Sequence, residues 1–352
     1  MSSYNLYGGT PKKTLDLMKH FGDQAVLYVY HNSYPELKEQ FKATGGAVYE
    51  GFYGRNLFSH LKKLLTIIDN EKIDIVQTQF SMGETLGFLI KLFRPKVKLV
   101  IAFVGPFKPT ALKAFLVNLY YRKVDSFLYI TEYVKKEKTR QFPILHKKRG
   151  VIIFNGTEIR LDIGNKVVAM KQFSIFDIAG LVNWKNIQVL IEALNILINV
   201  KQRTDVFLYV AGDGPMRKEL ESLIASYNLQ KHIFLLGYQS NVGRLLNNCD
   251  VFVHPSYAEG FGIVIPEAML AKKPVIVSNA GALPELIENE VSGLVVQPHD
   301  PGEWVDAILR IIENPEFAAQ LAHKGKERAE KEFSKEKFTE NYENLYNSLL
   351  LK

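Results

Sequence analysis

The sequence predicts an α/β protein of the doubly wound kind, with two Rossmann-like parallel-sheet domains facing each other across a cleft. Short apolar runs alternate with segments of helical period along the whole chain. The runs are β-branched or aromatic, nearly continuous in apolar character and bounded by Gly, Pro or Asn, the pattern of strands buried on both faces. The alternation is interrupted once, near residues 155–172, where "NGTEIRLDIGNK" is polar and turn-rich. A chain of 352 residues is comfortable for two domains.

In chain order, "QAVLYVY", "IDIVQTQ", "VKLVIAFV", "DSFLYIT" and "GVIIFN" read as the strands of the first half. "FSIFDIAG", "DVFLYVAG", "IFLLGY", "DVFVHPS", "PVIVSN" and "GLVVQP" read as those of the second. Between them lie helical patterns such as "NIQVLIEALNILIN" and "PMRKELESLIASYN", and strand–helix alternation implies parallel sheets. Ser334 is a candidate N-cap for a last helix whose Phe338, Tyr342, Leu345, Tyr346 and Leu349 share one stripe. Near the start, Gly8-Gly9 followed by Pro11 reads as a strand-to-helix turn, with barely enough chain ahead of it to form the strand. The expected domains are 1–158, 159–333 and a terminal helix 334–352 that packs back on the first.

Composition narrows the function classes. With 47% hydrophobic and 23% charged residues, disorder is not the default. The longest apolar stretch, "AFLVNLYY" from Ala114, falls far short of the roughly eighteen residues that span a bilayer. No signal peptide is expected. One cysteine, Cys249, excludes an internal disulfide framework and a thiolate metal cluster, and a cytoplasmic setting fits. The net charge of +7 is uneven: residues 91–150 hold fifteen Lys or Arg against three acids, leaving the rest slightly acidic. That stretch is either a solvated basic face or a patch that meets anionic lipid or a phosphate-bearing substrate. Nucleic acid is disfavoured, because no recognition motif accompanies the charge.

The chemistry concentrates in "HPSYAEGFGIVIPEAML", His254 to Leu270: a buried strand, a glycine-bearing loop and a helix start. Gly260 and Gly262 let the backbone approach a ligand, and first-turn amides ahead of Pro266 lack intrahelical partners, which suits a diphosphate. Glu259 and Glu267 would repel such an anion but would accept hydrogen bonds from sugar hydroxyls. Read blandly, Glu267 is a macrodipole partner and Glu259 a surface residue. In "AGLVNWKN", Lys185 is a candidate phosphate cation or simply a solvated lysine. "AGDGPMRKEL" carries Gly212 and Gly214 but Arg217 where a dinucleotide fingerprint needs glycine, so it reads as a tight turn. The histidines, including His31, His60, His254 and His299, show no metal spacing.

"EGFGIVIPE" resembles the E-x7-E motif of the retaining glycosyltransferases of the GT-B fold known as glycosyltransferase family 4. The resemblance spans nearly the whole chain through Gly8-Gly9, "FNG" at Asn155-Gly156, "WKNIQVLIEAL", "VAGDGP", "GALPELIENEVSGLVV" and the aromatic last helix. It implies an acceptor domain followed by a nucleotide-sugar domain. It implies that Glu259 bonds donor-sugar hydroxyls, Glu267 the ribose, and the backbone of Gly260, Phe261, Gly262 and Ile263 the phosphates or sugar. Lys185 then neutralises the departing diphosphate, Gly9 approaches it from the first domain, and the base lies near Gly237 and Tyr238. The implied reaction transfers a hexose with retained configuration from a UDP-, GDP- or ADP-sugar, with no metal and no further cofactor. The basic, aromatic character of the first domain suggests a glycan or lipid-linked acceptor, anionic or membrane-bound, at the inner face of the membrane, as in surface polysaccharide or glycolipid assembly.

Three departures stand against the family pattern. Gly180 occupies the place of a common arginine that contacts the diphosphate, Val104 that of a common histidine, and Gln77 and Gln79 flank a threonine where "HTH" is frequent. The opening strand is expected to be missing, with a start upstream of Met1 as the simple explanation. These departures keep open an alternative, a catalytically weak homologue acting as a binding subunit.

Overall fold

The computed structural model describes residues 9–30, 35–105, 117–118, 120–158, 172–239 and 241–351. The chain divides into two compact units, 1–156 with 335–352, and 157–334. Gly8, the region 159–171 and the stretch 106–116 of the basic segment lie outside the described residues.

The second unit is built on a six-stranded parallel sheet. Its strands are β7 Phe173–Ile178, β8 Val206–Ala211, β9 Ile233–Leu235, β10 Val251–His254, β11 Val275–Ser278 and β12 Leu294–Val296. Their spatial order is β12-β11-β10-β7-β8-β9. The first three strands of the unit therefore run outward one way from β7 and the last three the other way, the doubly wound arrangement. Nearly continuous apolar sequences suit strands covered on both faces, and β8, β10 and β11 are buried at every position. Helices such as Ile187–Asn195 and Pro301–Glu313 cover the sheet, and fully buried Trp304 ties its indole N–H to the Gln297 carbonyl at 3.1 Å.

The first unit contains the parallel order β3-β4-β5-β6, made of Ile75–Gln79, Lys98–Phe103, Ser126–Tyr129 and Gly150–Ile152. A separate parallel pair joins β1 Val26–Val29 to β2 Ala47–Glu50. The strand β2 was not among the sequence candidates, because "AVYE" is four residues long and ends in a charge. A cavity of about 520 Å³ lies between β1 and β3. It is lined by the consecutive residues Ala25 to Tyr28 and Ile73 to Gln77. Successive strand residues point to opposite faces, so lining by all of them means that strand edges border the cavity.

The last helix, Lys335–Leu350, begins directly after Ser334 and belongs to this first unit. Its stripe of Phe338, Tyr342, Leu345 and Leu349 is buried against Val100, Ala102, Leu128 and Ile153. Each such side chain contributes about 1.5–3 kcal/mol when fully buried, so the stripe dictates where this helix docks. Tyr346 donates its hydroxyl to Gln77 at 2.9 Å.

Much of the described basic stretch serves the unit's own packing. Lys91 reaches Asp125 at 2.7 Å, Arg94 forks onto Asp69, and Lys148 donates to the Arg122 and Val124 carbonyls. Lys138 is buried with its ammonium 5.2 Å from the centre of the Phe103 ring, and burial lowers its pKa. Among the described residues, no helix is long and apolar enough to cross a membrane.

Candidate functional site

In the second unit, β7 and β10 are hydrogen-bonded neighbours although two strands separate them in sequence. The connections leaving their C-terminal ends run to opposite sides, and an open parallel sheet binds ligands at such a switch point. Strand β7 delivers Asp177 and then leads through Ala179-Gly180 to a 3₁₀ turn, Asn183–Lys185. Strand β10 ends at His254, and the loop after it carries Glu259 and Gly260 to the short helix Val264–Leu270.

These elements bring four charged or titratable side chains together. Lys185 pairs directly with Glu259 through Nζ and Oε1. His254 Nε2 lies 3.3 Å from the same Glu259 oxygen, and its Nδ1 lies 2.8 Å from Asp177 Oδ1. Lys185 Nζ is 3.5 Å from His254 Nε2. Asp177 and His254 are wholly buried, whereas Lys185 and Glu259 keep 19% and 16% of their side chains exposed, enough to meet a ligand.

Burial alone would raise the Glu259 pKa. The hydrogen bond from His254 and the Lys185 charge outweigh it and lower the carboxyl from 4.5 to about 2. For His254, burial opposes the charged form, yet the Asp177 carboxylate and the hydrogen bonds to Asp177 and Glu259 prevail over both burial and the Lys185 charge. The imidazole is thereby raised above its ordinary 6.5.

The backbone under the cluster is fixed by contacts distant in sequence. Gly281 has φ +59°, and a Cβ there would stand 2.7 Å from the Glu259 carbonyl oxygen and 2.9 Å from its nitrogen. The next amide, Ala282 N–H, donates to that carbonyl at 3.0 Å. Asn186 follows Lys185 in the left-handed conformation and bonds its side-chain amide to the carbonyls of Pro255 and Pro298. The Trp184 carbonyl accepts from the Tyr257 amide and the Ser256 hydroxyl, both at 3.0 Å. The turn carrying Lys185 is thus stitched to the loop carrying Glu259.

Residues 160–328 match the family Glycosyl transferases group 1. The match covers nearly all of the second unit. Over 80% of its length the chain is 28% identical to an uncharacterized glycosyltransferase of Methanocaldococcus jannaschii, covering 78% of that protein. It is 26% identical over 74% of its length to an Escherichia coli UDP-Gal:alpha-D-GlcNAc-diphosphoundecaprenol alpha-1,3-galactosyltransferase, covering 72% of it. Among solved structures, Anabaena HepE in complex with UDP superposes with a TM-score of 0.82 at 20% identity, with 97% of this chain and 96% of that one covered. The chain has the GT-B fold, with a parallel-sheet unit on either side of residue 157.

Within the second unit the other expected residues have definite places. Glu267 lies on the helix Val264–Leu270 and accepts from the Thr157 hydroxyl at 3.4 Å. Phe261 is buried edge-on against Phe333, so at this position the backbone and not the ring can face a ligand. Gly262 has φ +82°, with Leu283 2.9 Å from where a Cβ would be. The amides of Ile265 and Glu267 already bond the carbonyls of Gly262 and Ile263. That confines the expected anion-facing amides to those ahead of Ile265. Gly180 is exposed, and a Cβ there would meet only the Asp213 carbonyl at 3.8 Å, so nothing steric demands glycine. Gly237 bonds Gly212 at the end of β9, and Tyr238 beside it is 63% exposed. Gly9 opens the helix Gly9–Phe21 of the first unit, and the second unit builds its cluster without it.

Sequence reasoning missed Asp177, His254 as a site residue, Asn186 and Gly281. One signal was available, since an acid inside the apolar run "FSIFDIAG" is almost never buried without a partner. The others carried none that a single sequence displays.

Proposed function

We propose that the protein is a retaining glycosyltransferase that moves a hexose from a nucleotide-diphosphate sugar to a hydroxyl of a glycan or lipid-linked acceptor. The carrying observation is the convergence of Lys185 with Glu259 at the switch point of the sheet. The partly exposed Glu259 carboxylate accepts from donor-sugar hydroxyls, and Glu267 accepts from the ribose. Lys185 turns to the diphosphate and, with the loop amides ahead of Ile265, stabilises the charge that develops as the C1–oxygen bond breaks. The acceptor oxygen forms the new bond to C1 on the face the diphosphate leaves, and the departing phosphate oxygen takes its proton. These groups carry the leaving-group charge without a divalent ion in this scheme. A nucleotide-sugar donor is in keeping with the UDP held by HepE, and a lipid-linked acceptor with the diphosphoundecaprenol substrate in the Escherichia coli protein's name.

The test is a panel of UDP-, GDP- and ADP-sugars assayed for transfer and for slow hydrolysis, with and without EDTA. Turnover with at least one donor is expected, unchanged by EDTA, with the product anomer matching the donor by NMR. Glu259→Ala and Lys185→Ala should each lower turnover by about a thousandfold. Near-normal rates in both variants, or an inverted product, would sink the reading.

A further inference from the structure

The cluster contains a residue that the donor-binding scheme leaves without a task. His254 is wholly buried at the end of β10, wedged between two carboxylates from different segments. Asp177 on β7 faces Nδ1 at 2.8 Å, and Glu259 on the following loop faces Nε2 at 3.3 Å, with Lys185 from the 3₁₀ turn 3.5 Å from that same nitrogen. A neutral imidazole has one N–H and can serve only one carboxylate; the imidazolium has two and serves both.

The charges point the same way. Asp177, Glu259 and Lys185 together leave one uncompensated negative charge in a largely water-free site, and a proton on His254 cancels it. Lys185 pairs with Glu259. A diphosphate that draws Lys185 away would leave the Glu259 carboxylate without that cation at the moment it must face the sugar.

We propose that His254, held by Asp177, is a positioning residue: as an imidazolium it keeps Glu259 ionised and in place while Lys185 transfers its charge to the donor diphosphate. This inference deepens the proposed function and rests on it. His254 touches neither sugar nor phosphate in this scheme; it acts through Glu259. The clamp is complete at low pH and is lost as pH rises through the folded His254 pKa, which lies above its ordinary value. Replacing Asp177 by Asn removes the facing charge and moves that loss to lower pH.

Two measurements test it. In the ligand-free protein with ring-labelled histidine, assigned by the loss of one signal in His254→Gln, the His254 ring should titrate above 6.5 and move down in Asp177→Asn. A ring that is neutral throughout pH 6–8 in the unsubstituted protein would overturn the proposal, whatever the variants do. In donor kinetics, Asp177→Asn should lower kcat/KM about tenfold or more at pH 8 and much less at pH 6, an alkaline limb shifted to lower pH. Equal losses at both pH values, or none, would also overturn it, because a merely structural role would not change the profile. If the unsubstituted protein turns over no nucleotide sugar, the parent reading fails while the ring titration still decides whether the clamp exists.

Discussion

Replacing Lys185 by Met keeps most of the side-chain volume and removes the cation from Glu259. In the intact cluster the Glu259 carboxyl is displaced from 4.5 to about 2. At about 1.4 kcal/mol per pH unit, that is on the order of 3 kcal/mol of preference for the ionised form. Lys185 supplies a Coulombic attraction and one of the two side-chain hydrogen bonds, and His254 supplies the rest against the opposing effect of burial. Lys185→Met should therefore return the carboxyl toward 4.5 by roughly one to two pH units, on the order of half the displacement. Protein labelled with ¹³C at the glutamate carboxyl, with Glu259 assigned through Glu259→Gln, reads this directly by NMR between pH 2 and pH 7. The sign in stability follows. A depressed carboxyl stabilises the fold above 4.5, and that contribution is lost as pH falls toward 2. In Lys185→Met the loss should begin at higher pH. A Glu259 that titrates near 4.5 in the unsubstituted protein, or that does not move in Lys185→Met, refutes the reasoning.

Other outcomes follow from the same contacts. Gly281→Ala forces a Cβ to 2.7 Å from the Glu259 carbonyl in a left-handed conformation, so it should cut transfer at least tenfold with the circular dichroism spectrum unchanged. An active Gly281→Ala enzyme would show that the Glu259 loop is not held from there. Gly180→Arg has room and adds a cation where relatives of the resembled family carry one; it should lower the donor KM several-fold, and a raised KM counts against a diphosphate beside this turn. Trp304→Ala empties a fully buried site and should cost about 3–5 kcal/mol, or roughly 10 °C in the unfolding midpoint of its unit, by scanning calorimetry. Vesicles of anionic lipid should retain the protein more than neutral ones if the basic region 91–150 meets a membrane; equal retention would remove that surface from consideration.

The sequence by itself determined where strands lie and which chemistry is present. The eleven runs read as strands all form strands, because a parallel strand covered on both faces must be nearly continuously apolar, and that demand is local. The aromatic stripe of the last helix and the Glu259 and Lys185 motifs were legible for the same reason, since spacing within one segment displays them. Tertiary structure alone decided the rest. Asp177 and His254 stand 77 positions apart and meet only because β10 lies beside β7, with β8 and β9 placed on the other side. Gly281 bears on Glu259 only through a close backbone approach between two loops. The separate β1–β2 pair and the cavity bordered by β1 and β3 are properties of strand order, which periodicity does not encode. Burial of a charge depends on every element packed around it. The sequence therefore supplied two carboxylates and a lysine, and the fold decided that a buried histidine holds one of those carboxylates in place.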